Sequence, residues 1–289
     1  MTNSETRPSG GFNPSAAPPT AAAALTAARV RVPVTEARIL LCHVLGWSHA
    51  RLASYPEQVL TPSRWQWFVG LVQRREGGEP VAYLTGHREF YGRAFQVCPA
   101  VLIPRAETEL LVDIPVAKMR TRATPKILDL GTGSGVLAVT LALEIPGAMV
   151  TAVDRSAEAL SVARRNAEAL GAPVHFLQSD WFRELGGERF DLIVANPPYV
   201  AADDPHLFQG DLRYEPASAL ADGSEDGLGS IARICHAACG HLEHGGWLWL
   251  EHGWDQAVRV RGLMHECALS AVHNRRDLAG ILRACGGRR

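Results

Sequence analysis

The sequence holds no apolar run of the roughly 20 residues that a membrane-spanning helix requires, so no membrane partner is expected. It also has almost no excess charge: 29 Lys plus Arg stand against 30 Asp plus Glu, a formal net charge of −1. The broad basic field that would announce a nucleic-acid partner is therefore missing. Cysteine is sparse and scattered, at Cys42, Cys98, Cys235, Cys239, Cys267 and Cys285. Cys235 and Cys239, with His236, His241 and His244 nearby, invite a metal site. The paired spacing of a zinc centre is absent, however, and one helical turn accounts for the two cysteines. No metal is expected, and the thiols read as free in a reducing cytosol.

What remains is ordinary for a globular chain. Of 289 residues, 47 % are hydrophobic, enough for one large core or two modest ones. Residues 1–18 are rich in Ala, Pro, Ser and Thr and weakly resemble a transit peptide. Glu5 interrupts that pattern, and Pro14 and Pro18, with Pro19 just beyond, disfavour one amphipathic helix. A disordered tail is expected there. Residues 19–87 read as a small helical domain. Ala37, Leu40, Leu41, Val44 and Leu45 recur at helical spacing until Gly46, and Trp65, Phe68, Val69 and Val72 repeat the pattern. Residues 88–103 read as a β-hairpin linker, because aromatic and β-branched residues flank Gly92.

Residues 104–289 switch to strands alternating with helices, which predicts a mostly parallel sheet covered on both faces. Strands are expected at Lys126–Leu130, Met149–Val153, Val174–Leu177, Phe190–Ala195 and Trp247–Glu251. A helix is expected over Ala157–Leu170, capped by Ser156 and ended by Gly171.

The first of these strands runs into Gly131-Thr132-Gly133-Ser134-Gly135. Glycines at a strand-to-helix turn let backbone N–H groups approach a ligand. Asp154 closes the second strand, where a carboxylate can accept from both hydroxyls of a ribose. A dinucleotide dehydrogenase is the competing reading, but its loop is spaced G-x-G-x-x-G and this one is G-x-G-x-G. Asp129, just before the loop, can hold an ammonium group, which suits the methionine part of S-adenosylmethionine. Asp180 and Trp181 follow the third strand and suit an adenine edge and face; ordinary loop chemistry is the alternative.

Asn196-Pro197-Pro198-Tyr199 follows the fourth strand and decides the chemistry. Two prolines stiffen the turn and remove two N–H donors, leaving carbonyl acceptors on display. The Asn196 side-chain oxygen and the Pro197 carbonyl can each take one hydrogen of a planar NH₂ group. Tyr199 can stack on that group and fix its angle. Acceptors of this kind favour the transition state as positive charge grows on the nitrogen.

With these motifs in place, the chain resembles the HemK/PrmC family, the release-factor glutamine methyltransferases, from about residue 21 to the end. Further stretches that carry the resemblance are Tyr83–Phe90, Leu102–Glu109, Tyr214-Glu215-Pro216, Leu250–Gly253 and Arg276–Gly280. Ala106 stands where the family usually has proline, an exchange expected to loosen that turn. The resemblance implies an α/β fold: a Rossmann-like class I S-adenosylmethionine-dependent methyltransferase domain with a small N-terminal all-helical domain. It implies a cytoplasmic enzyme that methylates the N5 amide of the glutamine in the Gly-Gly-Gln motif of class I peptide chain release factors. On the same carry-over, Gly131 to Gly135, Asp154 and Trp181 bind S-adenosylmethionine and Asn196 lies against it; Asp180 joins that set on its position after the third strand. Asn196, Pro197, Pro198 and Tyr199 bind the glutamine, with Asn196, Pro197 and Tyr199 as the catalytic set, and the helical domain docks the release factor.

Two local readings stay open. Arg105, Glu107 and Glu109 either partner a helix dipole or shape the substrate mouth. Tyr214-Glu215-Pro216 is either a cover over the substrate or a surface loop. The rival function is an N6-adenine methyltransferase on DNA or RNA, whose exocyclic amine is also a planar NH₂. That enzyme calls for a basic groove and room for an extruded base, so no direct nucleic-acid partner is expected here.

Overall fold

The computed structural model describes Phe12, residues 17–119 and residues 121–289. Most of the expected N-terminal tail lies outside the described residues. The chain forms two compact units, Met1–Gly86 and His87–Arg289.

The first unit is built from α1 (Ala21–Ala28), α2 (Val34–Leu45), α3 (His49–Ser54), α4 (Pro62–Glu76) and α5 (Val81–Thr85). Its helices start and stop on local chemistry. Thr20, Ser48 and Thr61 each accept a backbone N–H at a helix start, and Pro62 occupies the first turn of α4. Gly46 ends α2 in the left-handed conformation. Leu40 and Leu41 of α2 meet Trp65 and Phe68 of α4 in a core of the unit's own. Arg75 adds a two-pronged ion pair to Glu36, at 2.7 and 3.0 Å.

The second unit opens with β1 (His87–Phe90) and β2 (Arg93–Gln96), an antiparallel hairpin. It differs from the expected linker. Phe90 and Phe95 are fully buried among residues of the large domain, so the hairpin is part of that domain's core. The order continues α6 (Leu110–Met119), β3 (Lys126–Leu130), α7 (Val136–Glu144), β4 (Met149–Asp154), α8 (Ala157–Leu170), β5 (Val174–Gln178) and β6 (Phe190–Ala195). It ends α9 (Ala217–Leu220), α10 (Gly229–His241), β7 (Leu242–Glu251), α11 (Ala257–Glu266), β8 (Ser270–Arg276) and β9 (Leu282–Arg288).

The sheet has seven strands in the order β5-β4-β3-β6-β7-β9-β8. The first five are mutually parallel; β9 joins antiparallel to β7, and β8 forms the edge antiparallel to β9. Successive side chains alternate between faces. Ile127, Leu192, Val194 and Trp249 join the core that holds α6 and α7. Leu128, Leu130, Ile193, Leu248 and Leu250 join the one that holds α10 and α11.

From β3 the chain winds outward to β4 and β5, then returns to lay β6 on the other side of β3. That reversal opens a crevice beyond the C-terminal ends of β3 and β6, where ligands bind in open α/β sheets. Register sharpens the point. Val153, Leu130, Ala195 and Leu250 are aligned across four neighbouring strands. The next residue of each, in turn Asp154, Gly131, Asn196 and Glu251, therefore stands in one row at the sheet's edge.

Candidate active site

A cavity of about 380 Å³ opens at that row, lined by Thr108, residues 131–134 of the glycine loop, Asp129, Asp154, Asp180, Trp181, Asn196 and Pro198. The loop is held from below by carboxylates. Asp129 accepts the Thr132 hydroxyl at 2.6 Å and the Ala138 N–H at 3.1 Å through one oxygen. Its other oxygen is buried without a partner. Burial pushes the Asp129 carboxyl up to about 7, against the pull of those two bonds. Asp154 accepts from Gly133 N–H and Ser156 N–H, both at 2.9 Å. Burial raises its carboxyl as well, and the two backbone bonds oppose the rise. A carboxylate has about four lone-pair positions, so Asp154 keeps acceptor capacity for a pair of hydroxyls.

Two glycines of the loop are required by close packing. Gly131 has φ +70°, and a Cβ there would stand 3.3 Å from the Trp181 ring. Gly135 has φ +85°, and its Cβ would meet Ala163 of α8 at 3.0 Å. The Trp181 ring thus lies on the glycine loop, on a backbone of φ +54°. Asp180 is exposed and pairs with Arg233 of α10 at 2.9 Å, so part of its acceptor capacity is spent on a residue the sequence pattern did not single out.

Asn196 leaves β6 and lines the cavity, and its side-chain NH₂ donates to the Thr108 hydroxyl oxygen at 3.1 Å. Thr108 donates in turn to one oxygen of Glu251 at 2.7 Å. The Tyr199 hydroxyl donates to the other Glu251 oxygen at 3.0 Å. Glu251 is fully buried; burial raises its carboxyl, and the two hydroxyl bonds hold it down. Burial and the adjacent Glu251 raise the Tyr199 phenol. Gln256 donates to the Tyr199 carbonyl at 2.9 Å and fixes the end of the turn.

These contacts qualify the expected substrate set. Asn196 and Pro198 line the cavity, whereas Pro197 is buried and Tyr199 is absent from the lining. The Tyr199 hydroxyl is committed to Glu251, and its ring packs on the core below the sheet's edge. Thr108, Glu251, Gln256 and Arg233 were given no role by sequence reasoning. Thr108 and Glu251 lie inside stretches that carry the family resemblance, the one signal that marks them.

The mouth is also more ordered than a surface loop. Glu215 is buried; it accepts Ile103 N–H at 2.8 Å and pairs with Arg105. The segment through Tyr214-Glu215-Pro216 is therefore strapped to the Leu102–Arg105 segment. Glu109 accepts Tyr91 N–H of the hairpin at 2.8 Å, while Glu107 is exposed. Among the described residues no group of His, Cys, Asp and Glu is arranged to hold a metal, and no helix is long and apolar enough to cross a membrane.

Family models match both units: the PrmC N-terminal domain over residues 20–86 and the methyltransferase small domain over residues 107–210. The release factor glutamine methyltransferase of Bordetella pertussis is 51 % identical over 257 residues, covering 89 % of this chain and 95 % of that protein. The chain belongs to the release factor glutamine methyltransferase family. The family member of Escherichia coli is 43 % identical over 89 % of this chain and 92 % of its own. A methyltransferase from Pyrococcus furiosus, 19 % identical, shares the fold over 75 % of this chain and 96 % of its own, with a TM-score of 0.51.

A methyltransferase of this family takes its methyl group from S-adenosylmethionine, and the cavity suits that molecule on two counts. The unpartnered Asp129 oxygen offers an anionic acceptor to an ammonium group. The glycine loop lines the cavity with the main chain of Gly131 and Gly133, and nothing stands within 4 Å of where a Gly133 Cβ would lie.

Proposed function

We propose that this chain transfers a methyl group from S-adenosylmethionine to the N5 amide nitrogen of the glutamine in the Gly-Gly-Gln motif of class I peptide chain release factors. The observation that carries the reading is the orientation of Asn196. Its NH₂ is engaged by Thr108, so the oxygen is the end left to receive an N–H from a substrate.

An amide nitrogen is a poor nucleophile because its lone pair is delocalised into the carbonyl. Asn196 Oδ1 would take one N–H of the glutamine and the Pro197 carbonyl the other, turning the lone pair toward the methyl donor. Bound S-adenosylmethionine supplies an electrophilic methyl carbon on its sulfonium. On taking the methyl group, with the S–C electron pair left on sulfur, the nitrogen would become cationic, and both acceptors would bind it more strongly than in the ground state. The surplus proton leaves to solvent. Asp154 would take the ribose hydroxyls, Asp129 the ammonium group, and Asp180 and Trp181 the adenine.

The helical unit would dock the release factor. Three arginines of its two small basic clusters are engaged by carboxylates, which favours a protein partner over nucleic acid: Arg31 pairs with Glu76, Arg74 with Glu79 and Arg75 with Glu36. A cytoplasmic location belongs to the same reading, because release factors act there. Mass spectrometry of a release factor incubated with this protein and labelled cofactor tests it. The expected result is one methyl group on the peptide that bears the Gly-Gly-Gln glutamine. Label entering an adenine oligonucleotide instead would overturn it.

A further inference from the structure

Four side chains from three distant parts of the chain form one continuous hydrogen-bonded line under the cavity: Asn196, Thr108, Glu251 and Tyr199. Only one member of that line is bound to accept. The two hydroxyl bonds favour the ionised form of Glu251 against burial, and in that form it has no hydrogen to give, so both hydroxyls point their hydrogens at it. For Thr108 this settles everything else, because a hydroxyl has a single hydrogen. Its oxygen can then only accept from Asn196, and an amide is oriented by the partners it meets. Nitrogen goes to Thr108 and oxygen is left at the cavity. Were Thr108 free to turn, its hydrogen could bond the Asn196 oxygen, and the NH₂ would face the substrate. Two NH₂ groups would then confront each other, which neither can satisfy.

We infer that Thr108 and Glu251 are positioning residues, a directional relay that fixes which end of the Asn196 amide meets the substrate nitrogen and holds Tyr199 at the base of the same turn. The inference rests on the role proposed for Asn196. It adds to it two residues: Thr108, which reaches the cavity's lining, and Glu251, which does not. The relay is short because the fold makes it so: Asn196 and Glu251 are neighbours in the row at the ends of β6 and β7, and the 3₁₀ turn Ala106–Glu109 inserts Thr108 between them. Thr108 and Glu251 are both buried, at 2 % exposure each, so water is poorly placed to replace either contact.

Full-length variants tested with an intact release factor decide the matter. Thr108→Val keeps shape and removes the hydroxyl. It is expected to lower kcat by roughly 10–100-fold, the range seen when the hydrogen-bond partner of a functional side chain is lost, with cofactor affinity changed by no more than about twofold. Thr108→Ser restores the hydroxyl and should recover kcat to within about threefold. Glu251→Gln keeps size but offers one acceptor and one donor, so it cannot receive both hydroxyls; it should lower kcat over the same range and decides the case if Thr108→Val does not fold. A packing role would not be sensitive to a second arm: in an Asn196→Ala background, Thr108→Val should cost at most about twofold more. Wild-type kcat in Thr108→Val and Glu251→Gln, with Asn196→Ala impaired, overturns the relay alone. An equal cost of Thr108→Val with and without Asn196 also overturns it. Normal turnover in Asn196→Ala removes the underlying reading of the site and the relay with it.

Discussion

The two halves of the cavity are held by different materials. On the cofactor side, Asp154 is satisfied by backbone N–H groups from Gly133 and Ser156. On the acceptor side, Glu251 is satisfied by the side-chain hydroxyls of Thr108 and Tyr199. Both carboxylates are buried and both are raised by burial. A backbone donor cannot turn around, so the cofactor half fixes position. A hydroxyl can donate or accept, so the acceptor half fixes direction and depends on every member of its line. On the proposed reading, one half offers a surface to bind against, and the other would set the sense of a hydrogen bond at the reacting nitrogen.

The largest effect should come from breaking the acceptor half at its end. Asn196→Ala is expected to lower single-turnover rates with a release factor by at least about 10²-fold, the cost of one preorganised transition-state contact. Cofactor titration should change far less. Asn196→Asp retains an acceptor but sets two carboxylates against the single Thr108 hydrogen. Its turnover should fall less than that of the alanine variant and stay clearly impaired.

Next comes the cofactor half. Asp154→Ala should weaken S-adenosylmethionine binding by about 1.5–3 kcal/mol, the usual worth of hydrogen bonds to a charged group. Calorimetry with unchanged affinity would take Asp154 out of the ribose site. A chain beginning at His87, where the second unit starts, should keep cofactor affinity, because the cavity is lined wholly from that unit, and should methylate a release factor poorly. Intact activity in that chain would end the docking role of the helices.

The smallest effect concerns pH. Asp129 is pushed up to about 7 by burial, so the folded, ligand-free protein holds its proton where the unfolded chain has lost it. Below the ordinary carboxylate range both states are protonated. Between that range and about 7 the folded state binds the extra proton, and this contribution to stability declines as pH rises. A cofactor ammonium group favours the ionised form, so affinity should decline as pH falls below about 7, with proton uptake by the freed site. Calorimetry in buffers of different ionisation enthalpy should show the linked proton, and Asp129→Asn should abolish it. A pH-independent affinity would place the ammonium elsewhere.

Much of the cofactor half is legible in the sequence because it is local. The glycine loop adjoins its strand, Asp154 ends the next strand, and Ser156 and Gly171 bracket α8 as their cap chemistry dictates. The acceptor half is legible only in part. Asn196-Pro197-Pro198-Tyr199 is contiguous, but Thr108 and Glu251 are 143 residues apart, and no spacing rule brings them together. Other omissions have local causes. Pro115 lies inside α6, where it would be read as a break. β8 is largely polar and part-exposed. β9 carries Gly286 because the Trp249 ring fills the space a side chain would take; glycine there reads as a turn rather than as a strand under a ring.

Asp154, Gly131, Asn196 and Glu251 stand in one row because four parallel strands are in register. That alignment sets where the chain can grow or shrink over evolutionary time. Residues can be inserted in exposed connections, such as the Asp-rich segment before Tyr214, without moving the row. A single insertion between the paired core of a strand and its last residue would carry that residue past its neighbours and turn its side chain to the opposite face. The sheet thus acts as a gauge of length, and tolerance to insertions and deletions should drop abruptly at the strand ends that face the cavity.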